Sequence, residues 1–163
     1  MSTDVKKDNI MNVDTVAMDD ARSALVIIDQ TRLPGEVHIL SLTEQKDIWE
    51  AIYLLKVRGA PAIGVAAAIG IYLAAKGINA KDYDDFYAQF KQAKDYLATA
   101  RPTAVNLFWA LDRMEQVLLD NKHKSVEELK RLLHDEAVAI REEDIRVCRS
   151  IGEHGLTLIK DGD

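Results

Sequence analysis

Val57-Arg-Gly-Ala-Pro-Ala-Ile-Gly-Val-Ala-Ala-Ala-Ile-Gly-Ile-Tyr-Leu73 begins with an arginine and turns almost wholly apolar after Pro61. Proline suits the first turn of a helix, where its missing N–H costs nothing. Gly59 suits a left-handed residue that ends a preceding helix. Arg58, Gly59 and Ala60 are therefore expected at a corner between two helices. The unpaired N–H groups and partial positive charge of a helix start make that corner a candidate anion site, with the Arg58 guanidinium beside it. From Pro61 to Ala75 there is no polar face, so the helix is buried on all sides or lies in a membrane. A span of that length is short of the roughly 20 apolar residues a bilayer needs. The expectation is a central bundle helix, with Gly64 and Gly70 allowing close approach of its neighbours.

The rest of the chain supports a single core. It has 163 residues, 48% apolar and 29% charged, an ordinary globular balance. The net charge of -6 argues against non-specific nucleic-acid binding, which needs a basic face. It leaves room for a small anion held by two or three arginines. The first residues lack the apolar run of a signal peptide, and a lone cysteine, Cys148, fits a reducing compartment. The expected location is cytoplasmic.

Around the central run the reading is mainly α, a bundle of about five helices preceded by a small antiparallel β-meander. Residues 1–12 read as a flexible N-terminus and residues 13–163 as one domain. Val13–Met18, Ala24–Asp29 and Glu36–Leu40 are the expected strands, with turns at Asp19-Asp20 and Leu33-Pro-Gly35 and His38 on the solvated side. Ser41 or Thr43 caps a helix running to Val57, with Ile48, Ala51, Ile52 and Leu55 inward. Asp82, Asp84 and Asp85 open the next helix, which runs to Ala98. They read as complements to its dipole rather than as a metal cluster. Ala104, Leu107, Phe108, Leu111, Met114 and Leu118 form the inward face of the fourth helix. Ser125 with Glu128 forms a capping box for the last. Val126, Leu129, Leu133, Ala137, Ile140, Cys148 and Ile151 keep helical spacing along it, which makes Cys148 a core residue rather than a nucleophile. His154 suits that helix's C-terminus, and His123 and His134 carry no pattern.

Thr99-Ala-Arg-Pro-Thr-Ala-Val-Asn106 repeats the logic of the first corner: a helix ends, an arginine follows, and a proline stands at the next start. If the two helix starts pack together, two guanidiniums and two sets of free N–H groups would suit a phosphate. The alternative is that each arginine pairs with a local carboxylate. Spacing alone leaves both open. No nucleophile elbow, Walker loop or metal-ligand spacing occurs, so neither a metal nor a cofactor is expected.

At these residues the sequence resembles a known family. Arg58-Gly-Ala-Pro-Ala-Ile-Gly64 and Ala100-Arg-Pro-Thr-Ala-Val-Asn106 are similar to the two N-terminal motifs of methylthioribose-1-phosphate isomerase, an enzyme grouped with the regulatory subunits of eukaryotic translation initiation factor 2B. Ile28-Asp-Gln-Thr-Arg-Leu-Pro34 and Ile151-Gly-Glu-His-Gly155 fit as well. The resemblance implies an aldose–ketose isomerisation in methionine salvage. Its substrate is a sugar 1-phosphate, held by Arg58, Gly59, Ala60 and Arg101, with Asn106 structural. It also implies a catalytic cysteine and aspartate in a Rossmann-like domain not contained in these residues, so no catalytic residue is assigned here and the chain alone is expected to be inactive. Self-association as a homo-oligomer, a homodimer above all, is expected, with no nucleic-acid or membrane partner. A relative acting on 5-deoxyribose 1-phosphate and a non-catalytic regulatory subunit are the alternatives.

Overall fold

Three short strands come first in the computed structural model, which describes residues 14–160 and 162. β1 (Val16–Asp19) and β2 (Ala24–Ile28) form a hairpin, and β3 (Ile39–Leu42) adds to the other edge of β2. All pairing is antiparallel, with Val16 opposite Ile27, and Leu25 opposite Leu42. The expected flexible segment, residues 1–12, lies outside the described residues. The third strand begins later than expected, because residues 29–38 form a long loop with a cis Leu33–Pro34 peptide. His38 precedes the strand and is half-buried rather than solvated, and its Nδ1 lacks a hydrogen-bond partner.

Five helices follow: α1 (Gln45–Tyr53), α2 (Ala60–Gly77), α3 (Tyr83–Ala98), α4 (Val105–Asp120) and α5 (Val126–Leu156). α2 is the axis. Every residue from Ile63 to Leu73 is buried, and α1, α3, α4, α5, β1 and β2 all pack on it. The helix is longer than Pro61–Ala75, and at 18 residues it is long and apolar enough to cross a membrane by length and composition. Its length therefore does not separate the two environments; the protein packed around it covers its sides. Gly64 allows the close approach of a backbone, since a Cβ there would stand 3.0 Å from the Asn106 carbonyl oxygen. Gly70 instead makes room for the Ile48 side chain.

α1 is shorter than its pattern. Glu44, not Ser41 or Thr43, is the N-cap, and no side chain caps it. Its end is a Schellman closure: Lys56 N–H donates to the Ala51 carbonyl at 2.9 Å and Leu55 N–H to that of Ile52 at 3.3 Å. Leu55 holds the left-handed position at φ 59°, where a glycine is usual. Leu55 therefore leaves the inner face expected of it, and Gly59 plays no part in ending α1.

The remaining caps follow local chemistry. Asp82 accepts from Asp85 N–H at 3.0 Å, so these aspartates start α3. Ser125 and Glu128 form the capping box of α5. His154 lies in the last turn of α5 with its Nδ1 2.7 Å from the Ser150 carbonyl oxygen. α5 is anchored on the core by Leu129, Leu133, Ala137 and Ile140, then runs beyond it. Ile151 is 66% exposed and Cys148 is exposed, against the expectation of a core position for both. The spacing persists, but no element of the described chain covers that end.

Candidate functional site

The first arginine corner is built on the link between α1 and α2. After the Schellman closure the chain crosses residues 54–59, burying Val57 and leaving Arg58 exposed. Gly59 stands at φ 96° and ψ 131° as the N-cap of α2, a region open almost only to glycine. The positive φ matches expectation, but it serves the start of α2. Ala60 and Pro61 form the first turn, and the first bond back is Ile63 N–H to the Gly59 carbonyl at 3.0 Å. The N–H groups of Ala60 and Ala62 are left without intrahelical partners, as at any helix start.

The second corner has a different construction. α3 is closed by Thr99, whose hydroxyl donates to the Tyr96 carbonyl at 2.6 Å. Trp49 Nε1–H reaches across from α1 to donate to the same Thr99 oxygen at 2.9 Å. Ala100 is buried, Arg101 is half-buried, and Ala104 N–H donates to the Arg101 carbonyl at 3.0 Å. Pro102 lies inside this turn, three residues ahead of α4, so it does not occupy the helix's first turn as expected. Ala104 is the N-cap, without a side-chain cap, and Asn106 falls in the first turn as read.

The starts of α2 and α4 lie side by side, as the Gly64–Asn106 approach requires. Pro61 and Val65 from α2, Val105 and Asn106 from α4, and Val147 from α5 share a groove of about 410 Å³. Its floor is apolar and its α5 wall carries Glu143 and Asp144. Neither Arg58 nor Arg101 lines it. Arg113 hydrogen-bonds Glu143 and holds that carboxyl below the usual glutamate range. Arg113 also lies over the Trp109 ring, 5.4 Å from its centroid. Among the described residues neither the Arg58 nor the Arg101 guanidinium makes an ion pair or a hydrogen bond. The alternative of arginines spent on local carboxylates therefore finds no partner there.

Cys148 lies exposed on α5, its Sγ 3.9 Å from a carboxylate oxygen of Asp144. Three supporting residues escaped the sequence reading. Gln30 binds the first corner: its N–H donates to the Lys56 carbonyl at 2.9 Å and its Nε2 to that of Arg58 at 3.3 Å. Trp49 holds the second through Thr99. Lys94, only 6% exposed, bridges α3 to Asp112 and Glu115 of α4, and Tyr87 donates to Glu115 at 2.7 Å. Only helical spacing placed Lys94 on its helix; nothing in its charge marked it as buried.

Residues 56–163 match the Initiation factor 2 subunit family. The chain belongs to that family. A methylthioribose-1-phosphate isomerase of Symbiobacterium thermophilum is 59% identical over 150 residues, which cover 92% of this chain and 42% of the relative. A 5-deoxyribose 1-phosphate isomerase of Moorella thermoacetica is 52% identical, over 84% of this chain and 39% of its own length. Among solved structures, 5-methylthioribose 1-phosphate isomerase of Pyrococcus horikoshii OT3 superposes with a TM-score of 0.86 at 36% identity, covering 91% of this chain and 41% of that one. The translation initiation factor eIF-2B subunit delta of A. fulgidus superposes at 0.83 with 40% identity, covering 93% and 43%. The chain thus spans about two fifths of the length of the relatives it matches.

Proposed function

We propose that this chain is the phosphate-gripping N-terminal part of a sugar-phosphate isomerase that converts 5-methylthioribose 1-phosphate to 5-methylthioribulose 1-phosphate in methionine salvage. The observation that carries the reading is the pairing of two arginine corners with helix starts that lie together, in a chain 59% identical to an enzyme of that name. In such a substrate the phosphate sits on the anomeric oxygen and blocks free ring opening, so the enzyme must assist that step. Arg58 and Arg101 supply charge-assisted donors to the phosphate, and the Gly59–Ala60 backbone at the start of α2 supplies the N–H groups. The acid–base groups lie in a further Rossmann-like domain, and the protein works as a cytoplasmic homo-oligomer, a homodimer in the simplest case.

An isomerase assay tests this directly. The 163-residue chain is expected to show negligible turnover of methylthioribose 1-phosphate, and the protein carrying both domains full turnover. Arg58→Ala and Arg101→Ala in the two-domain protein are expected to abolish most of it. Unchanged sugar-phosphate affinity in both variants would sink the site. Two other readings have specific support. The Moorella thermoacetica relative favours 5-deoxyribose 1-phosphate as substrate, which a side-by-side comparison of the two sugars resolves. The A. fulgidus structure favours a non-catalytic subunit, for which phosphate binding would persist without turnover by the two-domain protein.

A further inference from the structure

The end of β2 is unusually well tied. Asp29 is 5% exposed, and its carboxylate accepts from Thr31 N–H at 3.0 Å and from the Thr31 hydroxyl at 2.6 Å. Asp29 N–H donates to the His38 carbonyl at 2.8 Å, which closes the base of the 29–38 loop. Between these ties stands Gln30, aimed at the α1–α2 link with both its backbone and its side chain. It binds the Lys56 carbonyl through its N–H and the Arg58 carbonyl through its side-chain amide. The link is otherwise held before Arg58: by the Schellman closure and the Val57 N–H on Ala51 and Ile52, by Lys56 Nζ on Glu50 at 2.8 Å, and by the buried Val57 side chain. Beyond Val57 nothing but the Gln30 amide is hydrogen-bonded to the Arg58 peptide group among the described residues. Gly59 follows at once, with no side chain to hold the backbone in place.

We propose that Gln30 is the positioning residue of the first arginine corner: its two hydrogen bonds to the Lys56 and Arg58 carbonyls set the link so that the Arg58 side chain and the first N–H groups of α2 face one bound phosphate. This rests on the phosphate-site reading above. Gln30 itself touches no phosphate in this scheme. It acts by fixing the Arg58 peptide before the ligand arrives, which lowers the ordering cost of binding. The side-chain bond is the part a substitution removes; the bond from its backbone N–H survives any replacement except proline.

The test uses the 163-residue chain, isotopically labelled, with inorganic phosphate as the probe. Gln30→Ala removes the donor, and Gln30→Glu keeps the shape while presenting an acceptor to a carbonyl. Both variants are expected to weaken phosphate binding about three- to tenfold, the loss of roughly one hydrogen bond's worth of organisation. Amide exchange at Val57 and Ile63, which flank the corner, is expected to quicken several-fold, while the melting temperature stays within a few degrees. A purely structural role would lower the melting temperature and leave affinity unmoved, and that pattern overturns the proposal. Wild-type amides of Arg58, Gly59, Ala60 and Ala62 that ignore phosphate would instead bring down the phosphate-site reading. The exchange rates would then decide on Gln30 alone, faster supporting its hold on the link and unchanged refuting it.

Discussion

The two arginine corners read alike in sequence and are built differently. At the first, a left-handed glycine swings directly into α2, the proline lies inside the helix, and the arginine stands exposed. At the second, the proline lies in a turn ahead of α4, and the arginine is half-buried behind the buried Ala100. The first corner is positioned from the sheet side by Gln30, through backbone carbonyls. The second is positioned by neighbouring helices: the Trp49 indole on Thr99, and the Lys94 bridge that ties α3 to α4. A shared motif of arginine before proline thus specifies a corner without specifying how it is supported. A site made from both has one half that depends on a backbone conformation open to glycine and one that depends on side-chain ties between helices.

The largest effect expected is on function. In the two-domain isomerase proposed above, Arg58→Ala and Arg101→Ala should each lower kcat/KM for the sugar phosphate about 100-fold, or ~2.7 kcal/mol, the scale of lost charge-assisted hydrogen bonds. A steady-state assay checks it. A much larger loss at one corner would show that the two do not share the phosphate evenly.

Next comes the Lys94 bridge. Glu115→Gln should cost about 2 kcal/mol in chemical denaturation, because it leaves a buried ammonium short of a counter-charge. Burial pushes the Glu115 carboxyl up, but the Lys94 and Tyr87 hydrogen bonds outweigh it and hold the group below the usual glutamate range. Its folded value lies below its unfolded one, so its stabilisation is complete above the ordinary carboxylate range. That stabilisation is lost as the pH falls through the folded value. At the alkaline end, the hydrogen bond to Glu115 pushes the Tyr87 hydroxyl up to about 12, so that contribution is complete below pH 10 and is lost as the pH rises from there through about 12. Denaturation midpoints measured from acid to alkaline pH should fall at both ends, and Glu115→Gln should flatten the acid limb. An unchanged acid limb would remove the bridge from the support of the second corner.

Gly59→Ala tests the backbone of the first. A Cβ there meets only the Ala62 Cβ, at 3.9 Å, so space is not the obstacle. The φ of 96° is, and about 1–2 kcal/mol of strain should appear as a lower melting temperature together with weakened phosphate binding. The smallest effect belongs to Trp49→Phe. It keeps most of the stacking with Tyr53, 4.9 Å between centroids, and loses the bond to Thr99. About 0.5 kcal/mol of stability and a slight loss of phosphate affinity are expected, measurable by the same titration. An effect on affinity larger than that of Gly59→Ala would reverse the order of the two corners.

Much of this was legible along the chain because it depends on near neighbours. The apolar run after Pro61 read as a central helix without a polar face, and it is the axis of the bundle. Asp82 and the Ser125–Glu128 pair cap their helices with atoms three residues away. The β-branched apolar run in residues 24–28 produced a strand, and the arginine–proline pairs marked the corners. Other features were settled by partners distant in sequence. Leu55 takes the left-handed position because Val57 must drop into the core, a demand no local preference for leucine expresses. Lys94 is buried because α4 presents two carboxylates to it. The helical spacing of Leu133 and Ile140 continues through Cys148 and Ile151, yet the first pair is buried and the second exposed, since periodicity defines a face and only packing covers it. Composition and short-range geometry thus determine which segments fold and where they turn. Which faces are covered, which charges are buried and which helix starts meet was decided by tertiary packing, because those energies arise between atoms that the chain brings together only when it is folded.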